Sequence, residues 1–298
     1  MDHRRRAKEI LEKVPEIKRL YGPDWTSAPM ALSAASMHLA LALHASGMST
    51  AMWFASAYLV GAALAQFGFL AIHELAHNLF FSSAAANKLF SIVINLPLLF
   101  PFAIVFRTYH LLHHAHQGGD LDFDLPSELE IALFRGRLGK FVWLACQLVF
   151  YALRPCFLHP VGLCPYSALN VAVQAAFNAC VICFFGFAPV KFLFASLLFA
   201  GGLHPCSGHF LSEHVQFKPG GTQDTFSYYG PLNAITWNVG FHVEHHDFTR
   251  VSWRRLPSVR KLAGESYEGL AVCESWPGAL VRFVWDPRLS LGNCRARR

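Results

Sequence analysis

The 298-residue chain is 54% hydrophobic, only 15% of its residues are charged, and its formal net charge is +6. A soluble domain carries about 25% charged residues, so this composition excludes an ordinary soluble protein and favours an integral membrane protein. The basic residues gather near the N-terminus and in the C-terminal half, as charges that fix membrane orientation do. We therefore expect a lipid bilayer, and no nucleic acid, as the surface that the chain contacts.

The hydropathy pattern predicts a single domain with two transmembrane helical hairpins, because each of four apolar runs approaches the roughly 20 residues that a crossing needs. Helical spacing of apolar residues over 3–21 predicts an amphipathic helix on the membrane surface. Five consecutive parts are predicted: a cytosolic amphipathic N-terminal segment, 1–28; a transmembrane hairpin, 29–72; two histidine motifs with interfacial segments, 73–167; a second transmembrane hairpin, 168–206; and a cytosolic C-terminal region with a third histidine motif, 207–298.

Residues 89–106 are apolar enough for a further crossing, but we predict that they turn back within the membrane. Pro97 and Pro101 would break a straight helix, and a crossing here would separate histidine motifs that need to meet. The apolar run from Lys140 to Leu153 is predicted to be interfacial because it is short. The predicted fold is thus an all-α integral membrane protein with four transmembrane helices and a cytosolic helical cap. The positive-inside rule places both termini and the histidine motifs in the cytosol.

The most informative feature is a set of eight histidines in three motifs, HELAH, HLLHH and HVEHH. Within each motif the histidines are three or four residues apart, so on a helix they project from one side. Imidazole is the commonest metal-binding side chain, and eight imidazoles exceed the needs of one ion, so we predict two metal ions. The predicted ligands are His73 and His77; His110, His113 and His114; and His242, His245 and His246.

A weaker group follows the last apolar run, in GLHPCSGHFLSEH. His214 first, and His209 second, are predicted to complete the metal shell, whereas His204 is left open. Carboxylates close to the motifs are candidates for accepting the second N–H of a ligand imidazole. These candidates are Glu74, Asp120, Glu213, Glu244 and Asp247.

Imidazole ligands without thiolate suit iron, zinc or copper. A metal site at the end of a membrane bundle can reach a lipid chain, and attack on an unactivated C–H bond needs a redox metal with oxygen. Zinc has no redox chemistry, so two irons with O₂ as co-substrate are favoured, for desaturation or hydroxylation. No catalytic side chain is predicted beyond the metal centre.

The chain resembles the membrane fatty-acid desaturase superfamily, and within it the sphingolipid Δ4-desaturases, also called dihydroceramide desaturases. The resemblance lies in RRRAKEILEKVPEIK, FRTYHLLHH, GLHPCSGHFLSEH, TFSYYGPLNAITWNVGFHVEHHDF and LPSVRKLA. It implies a di-iron centre held by the three motifs, in the endoplasmic reticulum membrane. It also implies insertion of a trans double bond between C4 and C5 of the sphingoid base of dihydroceramide, giving ceramide. Electrons are then expected from NADH through cytochrome b5 and its reductase, supplied by other chains.

Three alternatives stay open from the sequence. A sphingolipid C4-hydroxylase would make phytoceramide from the same substrate. An acyl-lipid desaturase would alter the fatty acid and leave the sphingoid base intact. A histidine-rich membrane metal carrier would need ligands spread across the bilayer, whereas the predicted ligands gather at one face.

Overall fold

The computed structural model describes residues 2–218, 221 and 223–294, which form helices joined by turns. The only extended pairings among these residues are isolated bridges, such as Tyr21 with Val251. The helices in chain order are α1 (His3–Lys13), α2 (Ser27–Gly47), α3 (Thr50–Ala76), α4 (Ala84–Asn95), α5 (Ala103–His116), α6 (Glu128–Leu133), α7 (Gly136–Leu158), α8 (Pro165–Phe185), α9 (Ala188–Gly201), α10 (Gly208–Ser212), α11 (His242–Asp247), α12 (Leu256–Leu262) and α13 (Trp276–Trp285).

Four helices, α2, α3, α7 and α8, are long and apolar enough to cross a membrane. The all-helical, multi-pass architecture predicted from the sequence is therefore confirmed at this level. α3 and α9 pack closely where Gly61 meets Ser196, since a Cβ on Gly61 would overlap the serine side chain. Apolar side chains on the outside of these helices are exposed, as lipid-facing residues are, including Leu59 and Phe184.

The apolar segment 89–106 folds into α4 and α5, whose axes differ by 113°. This is the reversal that the sequence predicted in place of a straight crossing. Polar side chains bind the backbone at the tip: Asn178 Nδ2 donates to the Leu99 carbonyl at 2.9 Å and Gln174 Nε2 to the Leu96 carbonyl at 3.0 Å. The non-helical backbone between α4 and α5 is therefore hydrogen-bonded by side chains of α8.

Two elements differ from the prediction. α7 is a 23-residue helix, longer than the Lys140–Leu153 run that predicted a short interfacial segment. The predicted crossing over 190–206 is also too long, because α9 ends at Gly201 and the chain bends by 48° before continuing through Pro205. The helix ends at the Gly201–Gly202 pair, where glycine stabilises helical backbone poorly, and His204 before Pro205 is extended.

α7 carries polar side chains on its buried face. Lys140 near its start donates to the carbonyls of Asp286 and Leu289, at 2.8 and 3.0 Å. Arg154 near its end forms a bidentate ion pair with Glu130, with N–O distances of 2.6 and 2.7 Å. These contacts join both ends of α7 to polar segments outside the apolar hairpins.

The N-terminal helix α1 does not use its apolar face as predicted. Ile10 of α1 and Ile17, in the 3-10 helix Pro15–Leu20 that follows it, are buried against Val243, Phe248 and other residues of the C-terminal region, so their side chains are unavailable to a membrane surface. An amphipathic pattern indicates that one face of a helix is buried, but it does not show whether protein or lipid buries that face. α1 thus packs directly beside α11, the helix of the third histidine motif.

Candidate metal centre

Each of the three histidine motifs lies near the end of a helix or forms a short helix. HELAH ends α3, HLLHH occupies the last turns of α5, and HVEHH makes up most of α11. His77 is the C-cap of α3, and Asn78 follows with a φ of 60°, so the chain turns away directly after the first motif. Helical spacing therefore presents each group of imidazoles together, as predicted.

Five of the imidazoles form one group, called cluster one here. His110 Nε2 lies 2.9 Å from His77 Nε2 and 3.0 Å from His114 Nε2, and His245 Nε2 lies 3.3 Å from His114 Nε2. One nitrogen from each member lies within 4.8 Å of all the others, and the members are His73, His77, His110, His114 and His245. Nitrogen ligands lie about 2 Å from a bound transition metal, so this spacing suits ligands of one ion.

Four further imidazoles form cluster two, which meets the same 4.8 Å criterion and consists of His113, His214, His242 and His246. All four side chains are buried. His242 Nε2 lies 3.2 Å from His214 Nε2. The histidine placed first in the weaker sequence group, His214, therefore lies beside the eight motif histidines.

The motifs do not map one to one onto the clusters. The second motif contributes His110 and His114 to cluster one but His113 to cluster two, and the third motif divides likewise, with only His245 in cluster one. Residues at i and i+4 of one helix point more nearly the same way than residues at i and i+3, which leaves the third imidazole free for the neighbouring cluster. Sequence spacing indicated a shared face but not this division.

The other two candidates from the weaker group lie outside both clusters. His209 is buried, with Nδ1 3.0 Å from Glu213 Oε1 and its other ring nitrogen in contact with Gln66. His204 Nδ1 accepts a hydrogen bond from the Cys206 N–H at 3.2 Å. Both ring nitrogens of His209 are thus engaged with protein, so its tentative assignment as a ligand is not supported by the geometry.

Two aspartates that follow the second motif contact cluster histidines, and sequence reasoning missed both. His113 Nδ1 lies 2.9 Å from Asp122 Oδ1, and His110 Nδ1 lies 3.4 Å from Asp124 Oδ2. Asp120, which the sequence nominated, is exposed. The available signal was the closeness of DLDFD to the second motif along the chain, because ligand imidazoles commonly donate their second N–H to a nearby carboxylate.

The carboxylates nominated from the sequence have different partners. Glu213 lies 3.6 Å from His242 Nδ1, and Glu74 lies 3.8 Å from His73 Nδ1 while accepting from the Trp253 N–H. Glu244 instead accepts hydrogen bonds from Ser227 and Tyr229, both at 2.7 Å. Asp247 pairs with two residues of α1, His3 and Arg6. Among the nominated carboxylates, only Glu213 and Glu74 therefore lie within 4 Å of a cluster histidine.

Burial keeps the cluster imidazoles of the C-terminal region neutral. It lowers the pKa of His242, His245 and His246 well below 6.5, and it lowers the pKa of His214 too. Burial opposes ionisation of Asp124, but the charge of His113 and the hydrogen bond from His110 outweigh it and lower the pKa of Asp124 to about 2. The imidazoles of the C-terminal region are thus in the neutral state that metal ligation requires. His113 differs, because burial is outweighed by Asp122 and Asp124, which raise its pKa to about 9, so a metal ion bound there would have to displace its proton.

A cavity of about 60 Å³ is lined by members of both clusters, His73 and His110 from cluster one and His113, His214 and His242 from cluster two. Aromatic side chains make up much of its remaining wall: Phe69, Phe106, Tyr151 and Phe210. Gln147 also lines it; this side chain is 4% exposed, and its Nε2 has no hydrogen-bond partner among the described residues. The exposed wall of the cavity is therefore mostly apolar, although Asp124, Arg154 and Glu213 also line it, and Gln147 offers it a buried donor.

The family model described as fatty acid desaturase matches residues 48–276, which include every histidine of both clusters. The chain belongs to the fatty acid desaturase family. A second model, described as sphingolipid Delta4-desaturase, matches residues 2–26 of this desaturase-family chain.

Curated relatives agree with this assignment over nearly the full length. A rice protein (Oryza sativa subsp. japonica) named sphingolipid delta(4)-desaturase DES1-like is 42% identical over 95% of this chain and 86% of its own length. The Drosophila melanogaster sphingolipid delta(4)-desaturase DES1 is 41% identical over 96% of this chain and 89% of its own. A Bos taurus relative, 42% identical over the same shares, is named sphingolipid delta(4)-desaturase/C4-monooxygenase DES2. The family predicted from the sequence is thus confirmed.

Proposed function

We propose that this chain is a sphingolipid Δ4-desaturase that inserts a trans C4=C5 double bond into the sphingoid base of dihydroceramide, giving ceramide. The observation that carries the proposal is the convergence of nine imidazoles into two clusters beside one largely apolar cavity. The names of relatives at about 40% identity support the sphingolipid as substrate.

Each cluster would hold one iron ion, giving a di-iron centre. The donor set fits iron. Most of the side chains are buried, burial lowers the pKa of several so that they are neutral, and they offer nitrogen without thiolate. Bound iron with O₂ would supply the oxidising power that removal of hydrogen from an unactivated carbon requires. We assign electron delivery to NADH through cytochrome b5 and its reductase, as the family implies.

Residues of the second coordination sphere would orient the ligands. Asp122 and Asp124 accept from the Nδ1–H groups of His113 and His110, which directs Nε2 of each ring towards its cluster. Glu213 stands in a similar position for His242, at a longer distance of 3.6 Å. These carboxylates would fix the tautomer of each ligand before the metal binds.

The cavity would hold the part of the lipid that reacts. The sphingoid base carries a hydroxyl on C3, next to the carbons that lose hydrogen, so a polar group must enter an apolar cavity beside the clusters. Gln147 can donate its unpartnered Nε2–H to that oxygen. The aromatic walls would pack against the chain and exclude water.

We also propose the placement in the membrane. The contact between His77 and His110 requires that the chain between them return to one side, and α1 packs on the same region. The parts 1–28, 73–167 and 207–298 would then lie on the cytosolic side of the endoplasmic reticulum membrane, with the hairpins 29–72 and 168–206 inside it. The basic N-terminal segment favours this orientation. α7 is long enough to cross but would lie along the membrane surface, because Lys140 and Arg154 connect both of its ends to polar segments.

C4-hydroxylation is the second candidate, because the Bos taurus relative is named for both activities. Membranes containing the protein should be incubated with isotope-labelled dihydroceramide, NADH and O₂, with His245→Ala as the matched control. We expect a product lighter by two hydrogens in its sphingoid base, absent from the control. A product heavier by one oxygen would assign hydroxylation, and an altered fatty acid or an unchanged substrate would contradict the proposal.

A further inference from the structure

The N-terminal helix α1 makes buried polar contacts to the third histidine motif, beyond the apolar packing that docks it. Arg6 donates from Nε to Asp247 Oδ2 at 2.7 Å and from Nη2 to Oδ1 at 2.9 Å. His3 Nδ1 lies 2.6 Å from Asp247 Oδ1. The Asp247 side chain is fully buried, so these two residues, and not water, supply its hydrogen bonds.

Asp247 directly follows His246, a member of cluster two, and the contacts reach that ring. The His3 ring lies with its centroid 4.9 Å from the centroid of His246, so α1 covers this imidazole on the outside of the cluster. His3 is not itself a candidate ligand, since Nδ1 contacts Asp247 and Nε2 lies 3.0 Å from Thr225 Oγ1.

The contact with Thr225 joins two more elements of cluster two. Thr225 also accepts a hydrogen bond from Gln117, which follows the second histidine motif. The carbonyl of its neighbour Asp224 lies 3.1 Å from Nδ1 of His214, another cluster-two member. Three chain segments that carry cluster-two histidines therefore meet at the polar end of α1, namely those of His113, His214 and His246.

From these contacts we infer that α1 is a clamp for cluster two, with His3 and Arg6 as positioning residues that hold the metal in that cluster. The inference rests on the proposed function, because it takes cluster two as an iron site. The segment is the one that the sphingolipid Delta4-desaturase model matches, residues 2–26, outside the range of the general fatty acid desaturase model. Loss of the clamp would free Asp247 and the adjacent histidine while leaving the five imidazoles of cluster one in place.

The test is the rate of iron release to the chelator ferrozine from detergent-purified, iron-loaded protein under reducing conditions. We expect wild type to release its irons slowly. His3→Ala and Arg6→Ala should each release one iron per chain about tenfold faster or more, the scale on which outer-sphere partners change metal affinity, and keep the other. Arg6→Lys keeps the charge but not the bidentate geometry, and should be intermediate.

Arg5→Ala is the matched control, because Arg5 lies on the same helix, its side chain is 75% exposed, and it pairs with Glu9 one turn along α1. Its release rates should equal those of wild type. A second control uses His113→Ala, which removes a cluster-two ligand. The iron that this variant keeps is the one in cluster one. If the clamp acts on cluster two alone, adding Arg6→Ala to His113→Ala should not change the rate at which that remaining iron is released.

The clamp would be overturned if Arg6→Ala and His3→Ala released both irons at the wild-type rate. It would also be overturned if both irons were released equally faster and the melting temperature fell, because α1 would then stabilise the fold as a whole and not cluster two. Arg6→Lys keeps the test available if the alanine variants fail to fold. Wild type that binds no iron would refute the proposed function itself, so the two failures are distinguishable.

Discussion

Replacing Asp122 by asparagine should weaken iron binding at cluster two. Asp122 is fully buried and accepts on both oxygens: Oδ1 from His113 Nδ1 at 2.9 Å and from the Asp124 N–H at 3.2 Å, and Oδ2 from the Gly118 N–H at 2.8 Å. An asparagine has a single acceptor oxygen, so either the donors at Oδ1 (His113 and Asp124) or the donor at Oδ2 (Gly118) must lose their acceptor.

The magnitude follows from the bond that is weakened. A hydrogen bond to a charged group contributes about 1.5–3 kcal/mol, and each 1.4 kcal/mol corresponds to a factor of about ten. We therefore expect Asp122→Asn to bind the cluster-two iron about ten to a hundred times more weakly, and to turn over in proportion at limiting iron. Iron titration of the purified protein with a competing chelator measures the affinity.

Asp120→Asn is the matched control, because it removes the same charge from the same loop at an exposed position. It should bind both irons as wild type does. Asp122→Asn with an iron affinity within about twofold of this control would refute the assignment of Asp122 as the partner that orients His113.

Three further outcomes are expected. Gln147→Leu should raise KM for dihydroceramide about tenfold, because the substrate oxygen loses its hydrogen-bond donor. Val149→Ala, on the exposed side of α7, should leave KM unchanged. A Gln147→Leu variant with the KM of wild type would show that Gln147 does not contact the substrate. Burial opposes ionisation of Glu130, but the ion pair with Arg154 outweighs it and lowers the pKa of Glu130 from 4.5 to about 2. The ionised Glu130 therefore stabilises the fold fully above pH 4.5, and this stabilisation is lost as the pH falls towards 2. Melting temperatures of Glu130→Gln, measured at a series of acid pH values, should not show this loss. Removing iron with a chelator should abolish turnover, and Fe(II) but not Zn(II) should restore it; recovery with zinc would exclude redox chemistry at the clusters.

The site could be predicted from the sequence to the extent that it is built from local spacing. Histidines three or four residues apart specify one face of a helix, so the three motifs were found without knowledge of the fold. The division of His113 from His110 and His114 could not be found this way. It depends on which neighbouring helices lie on each side of α5, and that is decided by tertiary packing.

The errors have physical causes of the same kind. The apolar face of α1 was read as lipid-facing because burial against protein and against lipid give the same pattern. Asp122 and Asp124 were missed because they lie in a loop, where no period relates sequence position to direction. Hydropathy alone overestimated the run at 190–206, because it does not register the Gly201–Gly202 pair at which the helix ends.

The most direct test of the two-cluster metal centre is the iron content of purified wild type, His77→Ala and His113→Ala, measured together by mass spectrometry of the metal. His77 belongs only to cluster one and His113 only to cluster two. We expect two irons per chain in wild type and about one in each variant, with no turnover in either. Wild type without iron, or variants that keep the full wild-type content, would contradict a centre built from two histidine clusters.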